Sequence, residues 1–385
     1  MTMPRHRETR AVRRAWAAGD VEEAARRAAE AGDDPLLILT DLVRGRFVQD
    51  LARYESLADR GRFRFRTLDE PVGHAWLHLD QADRACEHLR RRRRVPPGLT
   101  LRRDHPMTVK ADEPVTLPFQ DHPLAPHLPA VEGTLNGRRT LLHLDTGGAF
   151  LVMSARRAAA AAAGIMSLPN GLRFHGLTRT QARTGIVREL GLGRAELTNI
   201  PVDILPTLTG PQDIVIMGTN LLQRFLPTID TPAGHLLLTP RGHHAPPGGT
   251  RVPFNLRADH YMFARGGFGP RRDLTFFIDS GLVHLLEDEH GTPRQAAVLA
   301  TRSQYRSWGI PRADLHTTHL KTATPLRLGP LEQPNHLLAI APTRTAPWSR
   351  IGGITIDGLL SHAFLAQYAW TLDFDRFTYT FHPAK

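Results

Sequence analysis

Two strings decide the fold of this chain: Leu142-His143-Leu144-Asp145-Thr146-Gly147-Gly148 and Phe276-Phe277-Ile278-Asp279-Ser280-Gly281. Each is an apolar run that ends in Asp, followed by a small hydroxyl residue and Gly. The run reads as a buried strand, and the Gly permits a tight turn and a close approach of backbone from elsewhere. One such string in 385 residues means little. Two copies with similar surroundings indicate a repeated half-site that brings two carboxyls together.

The surroundings do repeat. Before Asp145, residues 129–135 read as a strand, Asn136-Gly137 as a hairpin turn and residues 138–144 as the return strand. Before Asp279, residues 261–265 read as a strand, residues 266–270 (Gly-Gly-Phe-Gly-Pro) as the turn and residues 271–278 as the return. Leu192-Gly193 precedes Asn199, Val202 and Ile204, and Leu328-Gly329 stands at the same spacing before Asn335, Leu338 and Ile340. Ile216-Met217-Gly218 and Ile356-Asp357-Gly358 follow, each trailed by a leucine-containing helical stretch and a strand ending in Asp230 or Asp373. A repeated order of parts of this kind marks two structurally alike units.

Two carboxyls a few ångströms apart cannot both ionise cheaply, so they share a proton and titrate as a pair. Such a pair can take a proton from water with one member and polarise a carbonyl with the other. On these motifs, residues from about 114 to 385 resemble the pepsin/retropepsin superfamily of aspartic proteases, in a two-lobed bacterial form. The resemblance implies a mainly β fold with lobes at 114–240 and 251–385, and a cleft between them. It implies Asp145 and Asp279 as the catalytic dyad, with Thr146 and Ser280 bonding across the lobe interface beside Gly147 and Gly281. It places Gly218 and Gly358 beneath the dyad, and a flap over residues 174–186 with Phe174, His175 and Gly176 against the substrate. The implied activity is that of an aspartic endopeptidase on peptides or proteins, with no organic cofactor and no metal. Both motifs lie in one chain, so a monomer suffices. The chain departs from the pattern at Leu282, where a small residue is commoner, at Asp357 beside the second glycine, and in lacking a flap tyrosine.

Residues 1–98 are different material. Helical patterning runs over 11–18, 21–31, 35–43, 47–57 and 71–94, with Val21, Ala24, Ala25 and Ala28 forming a packing stripe. The result is an all-α domain of helical hairpins, loosely similar to tetratricopeptide units, and a possible dock for a protein partner. Five arginines at 90–94 precede Val95-Pro96-Pro97-Gly98, which reads as a linker start. Net charge is +11, yet residues 1–113 hold 23 basic and 19 acidic side chains, and no basic-aromatic alternation appears. No nucleic-acid partner is therefore expected, and the arginines suit a solvated helix end. Cys86 is the one cysteine, so no internal disulfide can form. The 20 histidines fall into no ligand spacing. Among them His143 reads as a core residue and His284 as a candidate for the cleft. No signal-like or membrane-spanning segment is apparent, so the expectation is cytoplasmic. Two other functions stay open: a pseudoprotease that binds extended peptides without hydrolysis, and an interaction protein whose helical domain docks partners.

Overall fold

A computed structural model describes residues 3–59, 66–91, 95–122, 125, 127–175, 178–287 and 293–383. The chain opens with seven helices among these residues: Met3–Ala17, Val21–Ala31, Asp34–Val43, Phe47–Asp59, Asp69–His78, Ala82–Arg91 and Pro97–Asp104. Local chemistry sets their ends. The Asp20 carboxylate accepts from the Glu23 N–H, Asp33 accepts from Leu36, and Gly32 takes the left-handed conformation that closes the second helix. The stripe Val21, Ala24, Ala25 and Ala28 is buried. Two details differ from the sequence expectation. Residues 71–94 are not one helix, because Asp80 adopts a positive φ of 58° and the Gln81 N–H turns back to the Trp76 carbonyl. The Pro-Pro-Gly tract opens a helix instead of a linker, since proline fits the first turn, where no N–H is needed.

Everything after residue 107 is mainly strand. In the first half, Ala130–Leu135 and Arg138–Asp145 form a hairpin, with both Asn136 and Gly137 at positive φ. Arg138–Asp145 runs parallel to Val215–Gly218, and Leu151–Met153 lies antiparallel to that strand and parallel to Ala195–Ile204. In the second half, Tyr261–Phe268 and Arg271–Ile278 form the hairpin. Arg271–Ile278 runs parallel to Gly358–Leu360, while Val298–Thr301 lies antiparallel to that strand and parallel to His336–Ala341. The pairings recur in the same order and sense. Gly193 and Gly329 both turn at positive φ (59° and 55°), as do Asn199 and Asn335 (56° and 61°).

Six strands join the halves in the order Val115–Gln120, His235–Pro240, Phe225–Asp230, Tyr368–Asp373, Thr378–Pro383 and Thr250–Pro253. At the centre Thr228 faces Thr371, with hydroxyl oxygens 2.7 Å apart. One apolar core runs through both halves and includes Leu142, Leu144, Phe276 and Ile278. A second is shared by the helices and one face of the second half, where Phe277, Leu299 and Leu359 pack with Trp16, Ile38 and Trp76. A long hairpin, Gly164–His175 with Thr178–Leu192, projects from the first half. It begins ten residues before the expected flap, because Gly164 already pairs with Ile186. Among the described residues, no helix is long and apolar enough to cross a membrane.

Candidate active site

Asp145 ends its strand, and Asp279 follows directly on Ile278. In each turn the Gly N–H two residues on donates to the Asp Oδ1, at 2.7 Å from Gly147 and 3.1 Å from Gly281. The hydroxyl residues lock the two turns together. The Thr146 N–H donates to Ser280 Oγ (3.0 Å) and the Ser280 N–H to Thr146 Oγ1 (3.0 Å). Thr146 Oγ1 also donates to the Ile278 carbonyl (3.0 Å), and Ser280 Oγ to that of Leu144 (3.4 Å). Both residues are almost fully buried, at 0% and 1% exposure, so each of these bonds is shielded from water.

Each glycine abuts the opposite carboxyl. A Cβ on Gly147 would stand 2.7 Å from Asp279 Oδ1, and one on Gly281 would stand 2.2 Å from Asp145 Cγ. The absence of side chains there leaves room for the two carboxyls side by side. Burial, and then the Asp145 charge, push the Asp279 carboxyl well above the usual carboxylate range, against the pull of the Gly281 and Leu282 N–H groups. The two carboxyls therefore share a proton and titrate as a pair. The arrangement presents one carboxylate and one carboxylic acid side by side.

Gly218 lies opposite Asp145, and a Cβ there would sit 2.0 Å from the Ala149 carbonyl oxygen. Gly358 does not hold the matching place. It pairs with Phe276, Leu360 pairs with Ile278, and the Asp279 N–H donates to the Leu360 carbonyl, so Ser361 lies at the level of Asp279. The Gly218 N–H donates to Phe150 O and the Ser361 N–H to Ala297 O, which makes Ala149 and Ala296 equivalent. Where a side chain on Gly218 would strike the Ala149 oxygen, Ser361 Oγ donates a hydrogen bond of 2.5 Å to Ala296 O. Ser361 also caps the helix His362–Leu365 by accepting from the Ala363 N–H, as suits a helix start and not a nucleophile.

The other departures find local partners. Asp357 is tied to Thr275 through its N–H (2.7 Å) and through Oδ2 (2.8 Å), and burial raises its pKa. The Leu282 N–H donates to the Asp279 carbonyl as the Gly148 N–H does to that of Asp145, and the Leu282 side chain packs with the helical cluster. His143 is buried against His122 with ring centroids 4.8 Å apart, and neither of its ring nitrogens has a partner among the described residues. Burial pulls its pKa down to about 4. His284 is half-buried, with its pKa lowered by desolvation. Phe174 and His175 lie at the end of their hairpin strand, opposite Arg179 and Thr178, while Gly176 falls outside the described residues, as do Arg92, Arg93 and Arg94. Thr219 escaped the sequence reading: its hydroxyl donates to the Thr146 carbonyl at 2.9 Å, a contact signalled only by its place directly after Gly218. Among the described residues, no group of three or more His, Cys, Asp or Glu side chains is placed to hold a metal.

Residues 131–221 match the family model described as aspartyl protease. Among solved structures the chain is similar to a retropepsin-like aspartic protease from Rickettsia conorii, at 18% identity and a TM-score of 0.25. That match covers 35% of this chain and 93% of the other. No curated protein matches the sequence.

Proposed function

We propose that the chain hydrolyses peptide bonds with a water activated between Asp145 and Asp279, one from each of two lobes at 114–240 and 251–385, with residues 1–98 as a helical domain. The observation that carries this is the reciprocal pair of bonds between Thr146 and Ser280, which holds two carboxyls in contact with one of them protonated. Asp145, as the carboxylate, takes a proton from water while the Asp279 acid donates a hydrogen bond to the substrate carbonyl oxygen. The hydroxide oxygen bonds to the carbonyl carbon, the carbonyl π pair moves to oxygen, and the Asp279 proton follows it. Collapse then breaks the C–N bond: the proton held on Asp145 passes to the leaving nitrogen, and one hydroxyl of the tetrahedral diol returns its proton to Asp279, which restores the dyad. Each carboxyl has a separate task, so neither can replace the other. Phe174, His175 and Gly176 are proposed to meet the substrate from the hairpin.

The test is cleavage of a mixed peptide library by the full chain from about pH 3 to 7, the range over which a shared-proton dyad titrates. Wild type, Asp145→Asn and Asp279→Asn are compared by mass spectrometry. Each substitution is expected to lower the rate at least about 10³-fold with the fold retained by circular dichroism. Cleavage that survives in either variant refutes the dyad. A folded wild type that binds peptides without cutting them assigns the chain to the pseudoproteases.

A further inference from the structure

A cleft of about 40 Å³ separates the helices from the first half, with Asp80 and Arg102 on one wall and Phe150 and Arg224 on the other. That is room for a few water-sized groups. The Arg224 side chain is only 9% exposed, and its Nη1 donates to both Asp80 oxygens at 2.5 and 2.6 Å. Its Nε is buried and has no partner among the described residues, and its Nη2 makes no hydrogen bond among them either. Arg102 lies over the Phe150 ring, 4.7 Å from the centroid, a contact that uses none of its N–H donors. Among the described residues it makes no ion pair. Burial lowers its pKa to about 10. Asp259 and Asp80 pull that value up, and the Arg224 charge pushes it down.

Most arginines of the chain are better matched. Arg139, Arg327 and Arg376 each hold a carboxylate at 2.6–2.8 Å. Arg102 and Arg224 press on each other electrostatically, and the one carboxylate in their cleft bonds to Arg224 alone. Two sheltered cations side by side are costly unless an anion compensates them. The flat fork of a guanidinium suits the oxygens of a phosphate group.

We propose that this cleft binds a small oxyanion of the inorganic phosphate class, held by the free donors of Arg102 and Arg224. The site stands apart from the two Asp turns and its ligand is not a substrate. Arg102 belongs to the helix Pro97–Asp104, and Arg224 follows directly on the first half's helix Thr219–Leu222 and Gln223. The anion therefore ties the helices to the first half and stabilises the folded chain in proportion to its occupancy.

The test is calorimetry and thermal melting of the full chain with inorganic phosphate, against chloride at matched ionic strength. Phosphate should bind and raise the melting temperature where chloride does not, and Arg102→Gln should weaken phosphate at least about tenfold. Asp80→Asn is the second arm. Asn is at ease at the positive φ of Asp80 (58°), so the fold is kept while the competing charge is removed. Phosphate should then bind at least about threefold more tightly. No phosphate binding to wild type, or equal binding to Arg102→Gln, overturns the site. So does unchanged or weaker binding by Asp80→Asn, which decides alone if Arg102→Gln does not fold. Acetate bound more tightly than phosphate overturns the choice of ligand.

Discussion

The Asp145 half and the Asp279 half share strands, pairing and turn geometry, yet the second carries bulk where the first carries space or polarity. Leu282 stands for Gly148 and Phe277 for His143, while Leu359 answers an equally large Ile216. The positions that agree are those that touch the other half. Thr146 and Ser280 bond to each other's turn, and Gly147 and Gly281 each make room for the opposite carboxyl. The positions that disagree answer to whatever packs against them, with N-terminal helices such as Met3–Ala17 and Asp34–Val43 against the second half. At the two Asp turns, likeness between the halves thus maps mutual contact.

Beyond the carboxyl substitutions, the sharpest way to break this comparison is at the glycines. Gly147→Ala and Gly281→Ala should each lower kcat by about 10²-fold, because a shift of an ångström at the reacting groups has that effect. Gly281→Ala should be the worse, since its Cβ would meet Asp145 at 2.2 Å and that of Gly147 would meet Asp279 at 2.7 Å. The opposite order would mean the halves are not held as described. Next come the hydroxyls. Thr146→Val leaves the buried Ser280 N–H and Ile278 carbonyl unpaired, whereas Ser280→Ala leaves the Thr146 N–H and removes only a long bond to Leu144. Urea titration should show a loss of about 2–3 kcal/mol for Thr146→Val and about 1–2 kcal/mol for Ser280→Ala.

The halves should also pull oppositely on stability as pH changes. Asp279 has its folded pKa raised above the unfolded value of about 3.9. Its contribution is complete below that value and drains as pH rises through the folded pKa. His143 has its folded pKa lowered to about 4 from an ordinary 6.5, so its contribution is complete above the unfolded value and is lost as pH falls toward 4. Melting temperatures should fall less with rising pH in Asp279→Asn than in wild type, and less with falling pH in His143→Phe. The smallest expected effect is at neutral pH. There His143→Phe, which copies Phe277, should stabilise by roughly 1 kcal/mol by removing two ring nitrogens that have no partner among the described residues. A loss instead would show that the faces differ in shape as well as polarity.

Much of this was legible in the residues. An apolar run ending in Asp, a hydroxyl and Gly carries its own strand and turn, and Asn136-Gly137 its own hairpin. Asn199 and Asn335, matched by spacing alone, adopt the same left-handed conformation. The place of Gly358 was not legible, because strand register is set by a partner far away in sequence, and the two offsets Ile356-Asp357-Gly358 and Leu359-Leu360-Ser361 look alike locally. The helix start at His362, one residue after Ser361 as Thr219 is one after Gly218, carried the information that spacing did not. Nor could residues 1–98 announce their docking face. Trp16 and Ile38 look like ordinary core residues until Phe277 and Leu359 are found beside them.

The bonds between the two turns join residues 134 positions apart. During synthesis, where the earlier half folds first, Asp145 waits without its counterpart until the second half has been made. A truncated product carries a lone acid, and a stalled ribosome holds an unarmed chain. Translation itself becomes the safety catch.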